Sequence, residues 1–175
     1  MTLTFSRMFR LLAIFLLALA FSVPSSRPLP ARAATITVDT LTDETDGSCS
    51  DGDCSLRDAM LLAESKLGPD TIDFGVAGTI TLARANGTLP QLQHGSTVID
   101  GTTAPGYAGT PVVAIDGSNL NGLPDIQFGI AVYSDGNSIL GLFLHSFEDG
   151  CIEMEQASAN TVEHNTTSSP TVPTE

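Results

Sequence analysis

The chain has 175 residues, of which 20 are acidic and seven basic, giving a formal charge of −13. This length predicts one domain, and the acidic excess disfavours nucleic acid and other polyanions as partners. Four of the basic residues precede Ala34, so the rest of the chain has three basic and 20 acidic residues, a formal charge of −17. Such a surface suits a soluble secreted protein or one that binds calcium.

Residues 1–33 have the three parts of a secretory signal peptide. Arg7 and Arg10 supply the positive start, residues 11–23 form an apolar run of 13, and residues 31–33 read Ala-Arg-Ala, a small-x-small cleavage site. An uncleaved membrane anchor is the alternative, but the apolar run is short for a bilayer and prolines follow at once. We therefore expect a secreted or cell-surface protein with no transmembrane segment after signal cleavage.

Residues 34–67 are predicted to form an N-terminal module. Polar and apolar residues alternate over 35–38, as in a strand, and residues 39–53 form an acidic loop. Clustered carboxylates suit calcium, although their spacing departs from the EF-hand pattern. The candidate calcium ligands are Asp46, Asp51 and Asp53. A solvated loop held by a disulfide is the preferred interpretation.

An amphipathic helix is predicted to follow the acidic loop. Ser55 and Asp58 have the spacing of a capping box, with Asp in place of the usual Glu, so the helix is predicted to begin at Ser55. Gly68-Pro69 is predicted to end it. Its apolar positions, spaced as one helical face, are Leu56, Ala59, Met60, Ala63 and Leu67. We expect this face to be buried against the open end of the β region that follows.

Three cysteines remain after signal removal. Cys49 and Cys54 lie five positions apart, and export to an oxidising compartment predicts a disulfide between them. Cys151 is left over in a predicted strand. A small buried apolar side chain is the preferred interpretation for Cys151, and a reactive thiol or an intermolecular link is the alternative.

Residues 68–165 consist of short β-type runs separated by glycine, asparagine and aspartate. Such runs are typical of a sandwich, a barrel or a solenoid, and internal repetition favours the solenoid. Gly129-Ile130 recurs 22 positions later as Cys151-Ile152, and the run around Asn137 recurs 23 positions later around Asn160. We expect Asn137 and Asn160 to stack as a hydrogen-bonded ladder.

This repeat length fits one turn of a three-sided coil, which gives about four turns over the β region. The run at 98–101 also recurs in similar form at 114–117. Inward aliphatic and phenylalanine side chains would form the shared core, with Thr81 and Thr97 facing outward. Residues 166–175, rich in Thr, Ser and Pro, are predicted to be a disordered tail or a truncation point. The last turn would then be uncapped and open to self-association.

The run Cys54-Ser55-Leu56-Arg57-Asp58-Ala59 resembles the Cys-Ser-Leu-Arg-Glu-Ala signature of the CSLREA domain, with Asp58 in place of Glu. That domain lies near the N-terminus of secreted bacterial proteins and usually leads into a right-handed parallel β-helix of the pectin-lyase-like kind. The resemblance therefore implies an all-β, right-handed parallel β-helix with an N-terminal helical cap. The cap motif residues are Ser55, Leu56, Arg57, Asp58 and Ala59.

β-helices of this kind include lyases and hydrolases that act on polysaccharides. A hydrolase needs paired carboxylates and a lyase needs a base. The alternative catalytic residues are Glu153, Glu155 and Arg84. The two glutamates share a strand face by their spacing, yet a charged outer face is the preferred interpretation because no convincing catalytic set accompanies them.

The sequence thus predicts a non-enzymatic scaffold with a binding or adhesion role. Its expected partners are extracellular carbohydrate or cell-surface components, and no cofactor is expected apart from calcium at the acidic loop. The alternative is a polysaccharide lyase or glycoside hydrolase that is incomplete in this chain.

Overall fold

The computed structural model describes residues 33–50, 52–65, 68–125 and 127–168. The predicted signal peptide, apart from Ala33, lies outside these ranges. So do the candidate calcium ligand Asp51, Leu67 of the predicted helix face, and residues 169–175 of the predicted tail.

The described chain contains eleven strands, one α-helix and two single-turn 3₁₀ helices. The strands are β1 (Thr35–Val38), β2 (Asp70–Phe74), β3 (Gly78–Thr81), β4 (Thr97–Asp100), β5 (Val113–Asp116), β6 (Phe128–Val132), β7 (Ser138–Leu140), β8 (Leu142–His145), β9 (Gly150–Met154), β10 (Thr161–Glu163) and β11 (Thr166–Ser168). The α-helix, α1, is Leu56–Glu64, and the 3₁₀ helices are Gly101–Thr103 and Ser118–Leu120. Within the described ranges, no helix has the length and apolar character needed to span a bilayer.

The strands form three sheets in which every pairing is parallel. The first sheet has the order β1-β2-β4-β7-β10, the second β3-β5-β8-β11, and the third β6-β9. Leu92 extends the third sheet through a single bridge to Val132. From β2 onward the chain visits the first, second and third sheets in the same cyclic order. The predicted β-rich architecture of parallel strands is confirmed.

Aliphatic side chains form a continuous column inside the first sheet. The register places Ile36 beside Ile72, Ile72 beside Ile99, Ile99 beside Ile139, and Ile139 beside Val162. Partners in a parallel register point to the same face, so each residue packs on the next. The four isoleucines are at most 5% exposed, whereas Val162 is 38% exposed. Val162 lies in β10, the last strand of this sheet in the described part of the chain.

Polar side chains form a second column at the strand starts of the first sheet. Asn137 Oδ1 accepts a hydrogen bond from Thr97 N at 3.0 Å, and Asn160 Oδ1 accepts from Asn137 N at 2.7 Å. Asn137 Nδ2 also donates to Asn160 Oδ1 at 3.2 Å. The predicted asparagine ladder is therefore confirmed, and Asp70 extends the column because its Oδ1 accepts from Ala34 N at 2.9 Å.

Polar side chains also bind backbone N–H groups at strand starts in the other two sheets. Leu142 N donates to Asn165 Oδ1 at 2.8 Å in the second sheet, and Gln127 N donates to Asp149 Oδ2 at 2.7 Å beside the third. In each case a polar side chain binds the backbone N–H at the strand start 22 or 23 residues earlier. These bonds satisfy backbone donors that a buried corner would otherwise leave unpaired.

The predicted period holds only for the last strand pairs. The pairings of β6 with β9, β7 with β10 and β8 with β11 each join segments one predicted period apart. By contrast, Val98 in β4 pairs with Ser138 in β7, which is nearly two periods further along the chain. Long corner loops between the earlier strands account for the difference. The similar runs at 98–101 and 114–117 lie in β4 and β5, which belong to different sheets.

Two orientation and boundary predictions were wrong. Thr97 is 2% exposed rather than outward, because its side chain lies in the polar column between Asp70 and Asn137. Residues 166–168 form β11, paired with β8, instead of starting a disordered tail. Strand β1 of the predicted cap module pairs with β2, so this module and the β region share a sheet.

Helix α1 packs on the first sheet through its contacts with β1 and β2. Its predicted apolar face is confirmed over the described residues, as Leu56, Ala59, Met60 and Ala63 are at most 3% exposed. The helix ends at Glu64, ahead of the predicted stop at Gly68-Pro69. It therefore lies against the part of the sheet nearest the N-terminus, at the opposite end from β10.

Candidate functional site

Ser55 caps α1 as predicted. Its Oγ accepts a hydrogen bond from Asp58 N at 3.0 Å, and Asp58 Oδ2 accepts from Ser55 Oγ at 2.8 Å. In a capping box the acid also binds the backbone N–H of the cap residue. Here Asp58 Oδ1 instead accepts from Gly47 N at 3.1 Å. Asp58 therefore ties the acidic loop to the helix start.

Arg57 of the cap motif has a structural role. It is 5% exposed and forms a bidentate pair with Asp43, with Nε–Oδ1 at 2.7 Å and Nη2–Oδ2 at 3.1 Å. Its Nη1 donates to Thr88 O and its Nη2 to Gly87 O. Asp43 Oδ2 also accepts from Ala83 N at 2.7 Å. The ion pair thus joins the acidic loop, α1 and the segment after β3. Both of its side chains bind groups within the protein.

The acidic loop carries the predicted disulfide. The Sγ atoms of Cys49 and Cys54 are bonded, which confirms that prediction. Of the candidate calcium ligands, Asp46 is exposed and its Oδ1 accepts from Ser48 N at 2.9 Å, and Asp53 is also exposed. Among the described residues, no three or more His, Cys, Asp or Glu side chains lie close enough to hold a metal ion. The described part of the loop therefore adds no support for calcium.

A cleft of about 150 Å³ lies beside the third sheet. Its lining residues are Thr88, Leu89, Gln91, Phe128, Ala131 and Tyr133. Small-molecule pockets usually exceed about 300 Å³. The cleft is therefore suited to contact part of an extended ligand rather than to enclose a whole one.

The third sheet holds the two aromatic rings of the cleft in place. Tyr133 N donates to Leu92 O at 2.9 Å, and Leu92 N donates to Ala131 O at 2.9 Å, which fixes the backbone under the Tyr133 ring. Phe128 lies opposite Gly150, where an added methyl group would approach the ring to 3.3 Å. Gly150 has a φ of 153°, a value that favours glycine. A glycine at this position thus leaves room for the Phe128 ring.

The predicted acidic pair lies on the strand next to the cleft wall. Ala131, in the cleft wall, pairs with Glu153 on the neighbouring strand, so their side chains point to the same face. Glu155 N donates to Val132 O at 3.1 Å, which extends the pairing beyond β9. Glu153 is partly exposed and Glu155 is exposed. The two Cα atoms are about 7 Å apart along an extended strand.

The third candidate catalytic residue, Arg84, is engaged elsewhere. Its Nη1 donates to Asn119 O at 3.0 Å and to Asn121 O at 2.9 Å. Within the described chain, no ion pair joins Arg84 to Glu153 or Glu155. The two glutamates therefore lie together on the strand next to the cleft wall. Arg84 instead holds the loop after β5 through its hydrogen bonds.

Sequence reasoning did not find the residues that line the cleft. Phe128 begins β6 and Tyr133 follows its last residue, in a run where aliphatic and phenylalanine side chains are predicted to face the core. The bridge from Leu92 to Val132 brings Gln91 beside this strand, and no repeat in the sequence relates Leu92 to Val132. A pair of aromatic residues flanking a strand, with Gln91 nearby, was the only available signal.

A second polar group lies on the outside of the second sheet. Asp116 pairs with His145 in the register, and His145 Nδ1 lies 3.5 Å from Asp116 Oδ1 and 2.9 Å from Ser146 Oγ. Partial burial opposes ionisation of Asp116. Hydrogen bonds from the Ser118 backbone and hydroxyl, together with the charge of His145, nevertheless hold the pKa of Asp116 below its usual value. The group stabilises the corner after β5.

Cys151 is a free thiol in β9, partly buried, and its Sγ lies 3.3 Å from Leu144 O. Burial raises the pKa of the Cys151 thiol, against a smaller opposing effect of the Ser168 backbone. Because the thiolate is the reactive form, we expect iodoacetamide at neutral pH to alkylate Cys151 several-fold more slowly in the folded protein than in the denatured, disulfide-intact chain. Mass spectrometry of timed samples measures both rates. Equal rates would instead support the reactive-thiol interpretation.

No protein-family model, curated protein or solved structure matches this chain. The resemblance of residues 54–59 to the CSLREA signature therefore stays a prediction. The function has to be argued from the geometry of the described residues.

Proposed function

We propose that this protein is a secreted or cell-surface parallel β-helix that binds carbohydrate through the cleft on its third sheet. Two observations support the fold proposal: the cyclic order in which the chain visits three parallel sheets, and the regular spacing of one period between partners in the last strand pairs. These are the features of a three-sided coil whose turns stack on one another. The right-handed sense follows from the resemblance to CSLREA proteins.

The proposed location outside the cell is supported by independent features. The start of the sequence has the composition of a signal peptide. The Cys49–Cys54 bond is of a kind that persists in oxidising compartments. Residues 34–175 also have a strongly negative formal charge, which favours solubility.

The composition and shape of the cleft carry the proposed function. Phe128 and Tyr133 line the cleft, and the apolar C–H face of a sugar can pack on aromatic rings. Gln91 and Thr88 add amide and hydroxyl groups that both donate and accept hydrogen bonds. An open cleft with this lining can hold one or two units of a longer chain. This fits a binding or adhesion role.

One observation favours a second function, a glycoside hydrolase. Glu153 and Glu155 lie two positions apart on the strand next to the cleft wall, and hydrolysis of a glycosidic bond uses a pair of carboxylates. Glu153→Gln distinguishes the two functions. A hydrolase would lose turnover of a bound polysaccharide and still bind it, whereas a binding module would release no reducing ends before or after the substitution.

The carbohydrate proposal predicts that Tyr133→Ala and Phe128→Ala each weaken polysaccharide binding at least about tenfold, the effect of losing roughly 1.4 kcal/mol of ring contact. The measurement is affinity electrophoresis of the exported full chain in gels containing cellulose, chitin, mannan or pectin derivatives. Tyr107→Ala is the matched control, because Tyr107 is a partly exposed tyrosine in the loop after β4. Unchanged mobility of both cleft variants, or binding to none of these polymers, would contradict the proposal.

We also propose self-association through the end formed by β9, β10 and β11. Each is the last strand of its sheet, and apolar Met154 and Val162 are 50% and 38% exposed there. Edge strands offer unpaired backbone groups to another chain. The variants of Val162 described below test this proposal through its dependence on protein concentration.

A further inference from the structure

We propose that the cleft selects carbohydrates that carry protonated amino groups, and that Glu153 is the residue that recognises the ammonium. This inference rests on the proposed carbohydrate function and names the chemical class of its ligand. It follows from the two glutamates on the strand next to the cleft wall.

The residues that line the cleft are uncharged, and Glu153 supplies a carboxylate on the strand next to Ala131. The register sets Glu153 beside Ala131 on the same face of the third sheet, and Glu155 follows two positions along. Glu153 is only partly exposed, so a ligand lying on the rings would remove more of its hydration. A carboxylate losing water gains most from a charge-assisted hydrogen bond, and an N–H donor with a positive charge supplies it.

Two basic side chains of the described residues, Arg57 and His94, lie near the segments that form the cleft, and both have hydrogen-bond partners. Arg57 lies behind Thr88, where its guanidinium binds the Thr88 and Gly87 carbonyl oxygens and the Asp43 carboxylate. His94, which follows the Leu92 bridge by two positions, pairs with Glu64 at 2.9 Å. Neither residue opposes the glutamates across the cleft. A uronate would therefore bring its carboxylate against Glu153, and neither of these two side chains would compensate the charge.

The aromatic rings favour the same ligand. The face of a tyrosine or phenylalanine ring carries negative electrostatic potential and attracts an ammonium within about 6 Å of its centre. An amino sugar presents a C–H face for packing and an ammonium beside it. The rings and Glu153 would therefore act on different atoms of one sugar unit. A neutral sugar would use only the rings, and a uronate would be repelled.

The experiment compares two oligomers of equal length, one of glucosamine and one of N-acetylglucosamine, by isothermal titration of the full chain below the pKa of the amine. The expected result is about tenfold tighter binding of the glucosamine oligomer, the equivalent of roughly 1.4 kcal/mol. Added salt should reduce this preference because the ion pair is partly exposed. An oligogalacturonate of the same length should bind more weakly than either.

Two isosteric variants locate the effect. Glu153→Gln should lower the affinity for the glucosamine oligomer to that for the acetylated one and leave the latter unchanged. Glu163→Gln removes the same charge from an exposed site in β10 of the first sheet, and should leave the preference intact. An equal loss in both variants would show a general charge effect and overturn the assignment to Glu153.

The remaining outcomes separate this inference from the proposed function. Equal affinity for both oligomers, with a loss in Tyr133→Ala, would overturn the selection of amino sugars and keep carbohydrate binding. Tighter binding of the oligogalacturonate would overturn the selection and favour a uronate ligand. Absence of binding to all three oligomers, and to the polymers above, would overturn both proposals.

Discussion

Asp43→Ala is expected to lower the free energy of unfolding by about 3 to 5 kcal/mol, the usual cost of leaving one member of a buried ion pair unpaired. Asp43 and Arg57 are 8% and 5% exposed, and Ala83 N would lose its acceptor as well. Urea denaturation of the disulfide-intact protein, followed by circular dichroism, measures the change. Asp46→Ala is the control, because Asp46 lies in the same loop and is exposed. It should cost less than about 1 kcal/mol.

A double variant separates charge from packing in this prediction. Asp43→Ala combined with Arg57→Leu removes the isolated buried charge, so it should be more stable than Asp43→Ala alone. A double variant less stable than the single one would mean that Arg57 stabilises the protein mainly through the Thr88 and Gly87 carbonyl groups. A cost below about 1 kcal/mol for Asp43→Ala would contradict the central role of the ion pair.

Features that depend on neighbouring residues could be predicted from the sequence. Ser55 caps α1 because its Oγ reaches Asp58 N, a contact three positions along the chain. The apolar face of α1 follows from helical spacing alone. The disulfide closes a loop between cysteines five positions apart. In each case the physical cause lies within a short stretch of backbone.

The asparagine ladder shows that a sequence repeat can also predict a contact between residues far apart in the chain. Asn137 and Asn160 hydrogen-bond because they precede β7 and β10, two strands that pair in parallel register. Their shared sequence context predicted this contact. Thr97 stands in the same column, but its partner Asn137 lies nearly two periods away, and no repeat marks that distance. Its burial was therefore missed.

The partners of Arg57 and the residues that line the cleft could not be predicted, because neither short spacing nor a repeat relates them in the sequence. The acidic loop approaches α1 from an earlier part of the chain, and the Gly87 and Thr88 carbonyl groups come from a segment well beyond the helix. Which loop residue would face the guanidinium depends on the path of both segments. The cleft likewise needs the irregular segment around Gln91 to lie against β6. Irregular corners leave no periodic signal in a sequence.

The two ends of the first sheet differ in how their apolar side chains are covered. At the N-terminal end, α1 buries its apolar face against β1 and β2, and the Arg57–Asp43 pair holds the adjoining loop in place. At the other end, the described chain stops at β10 and β11 with apolar Val162 partly exposed. Shortening a side chain of the aliphatic column should therefore cost most stability in the middle of the first sheet and least at this end.

Ile99→Ala is accordingly expected to cost about 2 to 5 kcal/mol, the range for deleting a buried isoleucine side chain where the surroundings relax only partly. Ile99 is fully buried between Ile72 and Ile139, and β4 has strands on both sides, so neither neighbour is free to fill the cavity. Urea denaturation at low protein concentration gives the change in free energy, and an unchanged m-value would show that the denatured state is unaffected. A cost below about 1 kcal/mol would mean that the column is loosely packed.

Val162→Ala is the matched variant at the open end of the same column, and its cost should stay below about 1 kcal/mol at low protein concentration. If the end associates with a second copy, Val162 becomes buried there, and the cost should grow as protein concentration rises, because dimerisation adds to apparent stability by mass action. Sedimentation velocity on the same samples reports the dimer directly. A cost that is small and independent of concentration, with a monomer throughout, would refute self-association while leaving the packing of Ile99 unaffected.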